Sequence, residues 1–222
     1  MRRKVVPELL DSDLGTPQEI ADGLADLRMI NRNFGGHATT ISLLERVANA
    51  RKLASVTVLD VAGASGDTMQ EASAAFTARG VSFHTAILDM NPTHMTRSKG
   101  IAWVVGDATR LPFRDTSFDV VTCSLFMHHL EPEQIHVFLR EALRVCRAAV
   151  LINDLRRSYL HLLVAYAGRI TYRSRLTRHD APVSVCRSYT AAEIEQMIRK
   201  VHPGKADISK HTLFRIGAIL WK

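Results

Sequence analysis

Apolar residues fall along this chain in two alternating rhythms: short β-branched runs, and longer stretches in which they return every third or fourth position. The first rhythm to appear is helical. Thr16-Pro17-Gln18-Glu19 offers a cap, a proline at the first helical position and an acidic first turn, and Ile20, Leu24, Leu27 and Ile30 follow on one stripe. A helix is predicted from there to just before Gly35-Gly36. A second pattern runs from about 38 to 51, with Ile41, Leu44, Val47 and Ala48 on its stripe. Both precede any strand, so residues 1–52 read as a helical cap and 53–222 as one structural unit.

From Ser55 the rhythm changes. Val56 to Val61 reads as a buried strand, followed by a small-residue turn and a helix over 66–79. Further strands are predicted at 83–88, 101–105, 118–124 and 149–153, with a short helix after Asn91-Pro92 and a longer one over 131–147. Residues 155–171 and 190–201 read as helices, the second capped by Thr190, and 206–221 as two strands broken near Lys210-His211-Thr212. This βαβα alternation requires a parallel sheet with helices on both faces, because parallel neighbours need crossovers and crossovers are right-handed. The last two strands are close enough for a hairpin, which adds an antiparallel strand at one edge. The predicted class is α/β, a doubly wound, Rossmann-like sheet.

Composition narrows the field without naming a function. The 222 residues are 46% hydrophobic and 23% charged, which excludes a disordered chain. Cys123, Cys146 and Cys186 form no C-x-x-C pair and leave an odd thiol, so neither a disulfide scaffold nor a zinc ribbon fits. No metal site is expected, and a reducing cytoplasm is the expected location. The longest apolar run, near Leu160 to Gly168, is too short to span a bilayer, and Met1-Arg2-Arg3-Lys4 leads into no apolar segment.

In a doubly wound sheet ligands sit over the carboxyl ends of the strands, with the loop after the first strand at the centre. Here that loop is Asp60-Val61-Ala62-Gly63-Ala64-Ser65-Gly66-Asp67. Small side chains allow close backbone approach, and Gly66 can open the next helix with free amides toward an anionic group. The loop lacks G-x-G-x-x-G and the chain lacks G-x-x-x-x-G-K-[ST], so neither a dinucleotide nor ATP is the obvious guest. A ligand-free tight turn would explain the loop taken alone. Two more acids change that. Asp89 ends the second strand, where a carboxylate can accept both hydroxyls of a ribose. Asp107-Ala108 follows the third, where a carboxylate and a backbone N–H can read the edge of an adenine. Like charges gathered at successive strand ends suit a ligand with hydroxyls, an amino group and positive charge.

The segments Val58–Asp67, Leu88-Asp89-Met90-Asn91 and Gly106–Val121 resemble the motifs of class I S-adenosylmethionine-dependent methyltransferases. Within them they are most similar to the branch of the type 11 and ubiquinone and menaquinone biosynthesis methyltransferases. The resemblance covers about 55 to 155 and implies a seven-stranded sheet whose last strand is antiparallel. It implies that Ala62, Gly63, Ala64, Ser65 and Gly66 cradle the methionine moiety of S-adenosylmethionine, that Asp89 holds the ribose, that Asp107 and Ala108 hold the adenine, and that Ser124 meets the methionyl end. Asp60 and Met90, within the same motifs, complete the cofactor set. Ala62 and Ala64 stand where glycine is common, and Arg144–Val150 lacks the Pro-Gly-Gly turn usual before the fifth strand.

Methyl transfer from a sulfonium is an in-line displacement, so alignment, exclusion of water and removal of a proton are what the protein can supply. His129, and after it His128, just past the fourth strand, are the candidate bases. The loop has no Asn/Asp-Pro-Pro-aromatic stretch and no Pro-Cys pair, which favours a phenolic or enolic oxygen or an activated ring carbon over an exocyclic amine. Oxygen stands slightly ahead of carbon. The acceptor is expected to be a small, apolar, hydroxylated or quinone-like metabolite, free or carrier-bound.

One stretch is unusual. Between Leu155 and His179 there are Arg156, Arg157, Arg169, Arg173, Arg175 and Arg178 and no acid, in a chain of net charge +7. Between them Tyr159, Leu160, Leu162, Leu163, Val164, Tyr166 and Ile170 make an almost wholly apolar helix. A buried helix with solvated arginines explains this. An apolar lid whose arginines meet an anionic carrier or the membrane surface explains it too. Two alternatives stay open: an RNA methyltransferase using the 156–178 stretch, and a cofactor-binding subunit or sensor without catalysis.

Overall fold

The computed structural model describes residues 1–12, 14–95, 100–211 and 214–222. Strands β1 (Ser55–Val61), β2 (Ser82–Asp89), β3 (Ile101–Val105), β4 (Phe118–Ser124), β5 (Cys146–Leu155), β6 (Ala206–His211) and β7 (Arg215–Trp221) form one sheet in the order β3-β2-β1-β4-β5-β7-β6. The first five are mutually parallel. The antiparallel strand is β7, which pairs with β5 on one side and with β6, at the edge, on the other. The hairpin of the last two strands therefore folds back so that the later strand lies inside the earlier one. The predicted break falls partly on Thr212, which lies outside the described residues.

Both faces of the sheet are covered, which is why its central strands are continuous apolar runs rather than alternating ones. Helices α2 (Gly36–Arg51) and α3 (Asp67–Thr77) bury Leu43, Leu44, Val47, Met69 and Phe76 against Val56, Val58 and Val120. On the other face α4 (Pro132–Val145) and α7 (Ala191–Val201) bury Ile135, Phe138, Ile194 and Ile198 against Leu59, Val61 and Val121. The remaining helices, α1 (Pro17–Asn33), α5 (Tyr159–Gly168) and α6 (Arg175–Arg187), pack on one another, with α1 also on α2.

Local chemistry sets the boundaries. Thr16 and Glu19 form a reciprocal capping box at the start of α1, and Thr190 and Glu193 do the same for α7. Helix α5 is shorter at its start than the 155–171 pattern suggests, because Arg156 and Arg157 donate their backbone N–H groups to Phe214 and Tyr189 carbonyls instead of entering a helix. Helix α4 passes into β5 with no residue between them, which is how the chain manages without a glycine turn there. Helix α6 has no counterpart among the predicted elements. Its buried positions include Thr177, Asp180, Ser184 and Arg187, and Pro182 sits inside it, so it shows no apolar period.

Candidate functional site

The carboxyl ends of β1, β2, β4 and β5 open into one cavity of about 610 Å³, roofed by α1, α5, α6 and the N-terminal strap of residues 1–12. That size lies within the range of small-molecule sites. Asp60, Ala62, Gly63, Ala64, Ser65, Asp89, Met90, Asp107, Ala108 and Ser124 line it, as do His128 and His129. Gly66 does not. It caps α3 at φ 73°, and a Cβ there would lie 2.5 Å from Ile87 Cδ1, so its lack of a side chain serves the packing of the turn onto β2.

The loop after β1 is held in an unusual backbone. Ala62 and Ala64 both lie in the left-handed region, at φ 57° and 44°, where a Cβ is unfavourable. Asp89 fixes the turn: its Oδ2 accepts the Ala64 N–H at 3.0 Å and its Oδ1 the Asn91 N–H at 2.9 Å. Each oxygen has a second lone pair, so the carboxylate can still accept from a ligand. Asp60 is buried behind the loop, where a Cβ on Gly63 would come within 2.7 Å of its Oδ2. Burial, with the Asp89 charge adding to it, pushes Asp60 up to about 8. Asp107 is exposed and caps its own turn by accepting from the Thr109 N–H and hydroxyl, both at 2.8 Å, while Ala108 is buried. Ser124 accepts from Asn153 Nδ2 at 3.3 Å, and the next residue, Leu125, is again left-handed at φ 54°. Met90 stands at the rim, 68% exposed.

The same cavity is also lined by a cluster of ionisable groups. His128 is buried, and Asp154 at the end of β5 holds it twice: Oδ1 lies 2.6 Å from Nδ1 and Oδ2 accepts the His128 N–H at 3.2 Å. Although burial alone would raise it, Asp154 is held below the ordinary carboxylate range by His128. With Nδ1–H pointed at a carboxylate, Nε2 is left as the basic nitrogen. It lies 3.7 Å from Glu8 Oε1, a buried oxygen with no hydrogen-bond partner among the described residues. Burial pushes Glu8 up to about 7. His129 Nδ1 is 2.8 Å from Asp11 Oδ2 and 4.0 Å from the same Glu8 oxygen.

Glu8, His128 and His129 offer three donors within 4.8 Å of one another, a set that could hold a metal ion. Arg187 Nη1, 3.7 Å from Glu8 Oε1 and 3.6 Å from Asp11 Oδ2, already supplies a positive charge at that place. A second buried guanidinium, Arg215, lines the cavity; it donates to Asn31 Oδ1 at 2.8 Å, and burial lowers it to about 10.

The cavity therefore brings together the loop, the strand-end acids and the two histidines that the sequence singles out, and adds Glu8, Asp11 and Arg215, with Asp154 and Arg187 behind the histidines and Glu8, none of which the sequence reading names. Asp154 lies near the end of β5 as Asp89 does at the end of β2, one residue beyond the predicted 149–153 strand. Glu8 and Asp11 carry no local signal. They reach the site because the strap is pinned along α6, where Leu9 and Leu10 N–H groups donate to Asp180 and the Lys4 N–H donates to the Cys186 carbonyl. Much of the arginine-rich stretch has internal work: Arg157 is buried on the Met1 and Ser188 carbonyls and Glu193, Arg175 pairs with Glu19, and Arg178 donates to the Tyr172 carbonyl.

Comparison with known proteins agrees with this geometry. A family profile described as a methyltransferase domain matches residues 58–149. The chain is 35% identical over 101 residues to the ubiquinone/menaquinone biosynthesis C-methyltransferase UbiE of Roseobacter denitrificans, covering 40% of this chain and 38% of that protein. It is 49% identical over 51 residues to the demethylmenaquinone methyltransferase of Beutenbergia cavernae, covering 23% and 20%. The chain thus spans well under half the length of the curated relatives it matches. Among solved structures, the plantazolicin methyltransferase BpumL in complex with a monoazolic desmethylPZN analog and SAH is similar with a TM-score of 0.69 at 13% identity, over 90% of this chain and 88% of that one. A SAM-dependent methyltransferase from Aquifex aeolicus gives 0.52 at 15% identity, over 75% and 81%. Residues 58–149 thus match a methyltransferase domain, and the fold of the chain is similar to that of solved S-adenosylmethionine-dependent methyltransferases.

Proposed function

We propose that the chain is an enzyme that methylates a small, apolar, hydroxylated or quinone-like acceptor. The observation that carries this reading is a single cavity lined both by the Asp89-held loop and by His128, whose ring is held from behind by Asp154. S-adenosylmethionine supplies a methyl group on a sulfonium. The chain's residues fit it: Asp89 keeps a free lone pair on each oxygen for ribose hydroxyls, Asp107 and Ala108 flank the adenine place, and Ala62 to Ser65 with Ser124 border the methionyl end. Asp60 braces the loop from behind and Met90 closes its rim.

The base in this proposal is His128 rather than His129. Both line the cavity, but only His128 has a buried carboxylate fixing Nδ1–H and leaving Nε2 free to take a proton. His129, turned to Asp11, is the second candidate. Loss of an acceptor O–H proton raises the nucleophilicity of that oxygen and of the ring carbons conjugated with it. The names carried by the relatives weigh toward carbon, against the slight preference for oxygen drawn from the sequence. The strap and α1, within residues 1–52, serve as the cap that keeps water from this step.

Among the described residues no helix is long and apolar enough to cross a membrane. The test is calorimetric titration with S-adenosylhomocysteine, followed by transfer of labelled methyl to a panel of phenols, hydroxyquinones and transfer RNA. Affinity for the cofactor product with label in a phenol or quinone is the expected result. Label in transfer RNA alone would replace the acceptor class, and affinity without any transfer would favour a sensor.

A further inference from the structure

Helix α5 is apolar on both faces, and only one of them is covered. Its inner face turns His161, Val164 and Ala165 toward the cavity. Its outer stripe, Tyr159, Leu163 and Tyr166 at steps of four and three, stands in solvent with Leu160 beside it and Ile170 in the turn that follows, at 73, 66, 51, 60 and 90% exposure. These are five of the eleven exposed large apolar side chains among the described residues, gathered within twelve positions. Contiguous apolar surface of this kind marks an interaction site rather than ordinary scatter.

Charge decides what fits it. Residues 155–179 carry six arginines and no acid, and Arg169, Arg173 and Arg178 are exposed. A second copy of the chain docked here about a two-fold axis would set this patch on itself, arginine against arginine. A bilayer surface bearing phosphate charge complements both features. Tyrosine rings suit the boundary between headgroups and acyl chains, and arginine stems can lie along apolar surface while the guanidinium meets phosphate.

We propose that the outer face of α5 and the turn after it dock on an anionic phospholipid surface, with Tyr159, Leu160, Leu163, Tyr166 and Ile170 entering the headgroup boundary and Arg169 and Arg173 meeting lipid phosphates. The cavity then lies one helix away from the bilayer. That an apolar acceptor passes from bilayer to cavity rests on the proposed function; the docking itself does not.

Cosedimentation of the full chain with vesicles of phosphatidylcholine alone, and of phosphatidylcholine mixed with phosphatidylglycerol, tests the proposal. Partitioning onto the anionic vesicles is expected to exceed that onto neutral ones by about tenfold or more, and to fall as salt is raised. The double variants Leu160→Asp with Leu163→Asp, and Arg169→Glu with Arg173→Glu, should each lower it by on the order of tenfold or more. None of these four residues lines the cavity, so affinity for S-adenosylhomocysteine should be unchanged. Equal partitioning onto both vesicle types, variants that bind as the parent does, or a dimer in sedimentation velocity that Leu163→Asp dissolves, overturns the proposal. Vesicle binding without affinity for S-adenosylhomocysteine would leave the docking standing and remove the methyltransferase reading instead.

Discussion

Asp89 accepts a hydrogen bond from the backbone of Ala64, a residue whose φ of 44° places it in the left-handed region. The carboxylate at the end of β2 thus holds the loop after β1 in a conformation its own residue type disfavours, by roughly 1–2 kcal/mol for a residue with a Cβ. Replacing Ala64 by Gly relieves that cost and adds chain entropy to the unfolded state, worth roughly 0.4–1 kcal/mol in the other direction. Ala64→Gly is therefore expected to be neutral or stabilising by up to about 1.5 kcal/mol in urea unfolding, with the loop still formed. A loss of stability comparable to that of a core truncation would show that the left-handed turn is not where the strain lies.

Removing the carboxylate instead should cost ligand affinity. Asp89→Ala deletes the acceptor for Ala64 and Asn91 N–H groups as well as the proposed ribose contact. At ~1.5–3 kcal/mol for hydrogen bonds to a charged group, affinity for S-adenosylhomocysteine should fall by about 10- to 100-fold. Asp89→Asn, which keeps one oxygen, should fall between the variant and the parent. Calorimetry that ranks all three alike would remove Asp89 from the cofactor site.

How legible these features were follows from what each depends on. Strands β1 to β5 are legible because parallel strands buried on both faces are short apolar runs, as Val56–Val61 is. The loop acids were legible because strand ends converge. Helix α6 was not, since its inward face carries Asp180, Ser184 and Arg187 to hold the strap and the site rather than to fill a core. The choice between His128 and His129 was beyond local pattern too. It depends on which ring meets Asp154, a residue distant in sequence that the β4–β5 pairing brings alongside.

That pairing can be read without knowing the acceptor. If Asp154 holds Nδ1–H, long-range proton–nitrogen correlation spectra of the histidine-labelled protein should show His128 in the Nδ1–H tautomer. Asp154→Asn, which offers a neutral amide in place of the carboxylate, should lose that preference and, once an acceptor is in hand, lower kcat by on the order of 10²- to 10⁴-fold. An Nε2–H signal from His128 in the parent protein would leave the proposed base without its free nitrogen.

Asp60 offers a prediction with a defined sign. Burial first, and the Asp89 charge second, raise it from 3.8 to about 8 in the folded chain. Between those values the unfolded chain gives up the proton while the folded chain keeps it, so this group makes the fold progressively less stable as pH rises from about 4 to about 8. Above that range both states are ionised and the loss is complete. The slope from one such group approaches roughly 1.4 kcal/mol per pH unit. Glu8, raised to about 7, adds a slope of the same sign over a narrower window. Asp60→Asn cannot ionise and so should lose less stability than the parent between pH 5 and pH 8, by urea midpoints measured across that range, while the Glu8 contribution persists in both. Parallel curves for parent and variant would mean that Asp60 is ionised in the fold, and that the space behind Gly63 is wetter than the packing there implies.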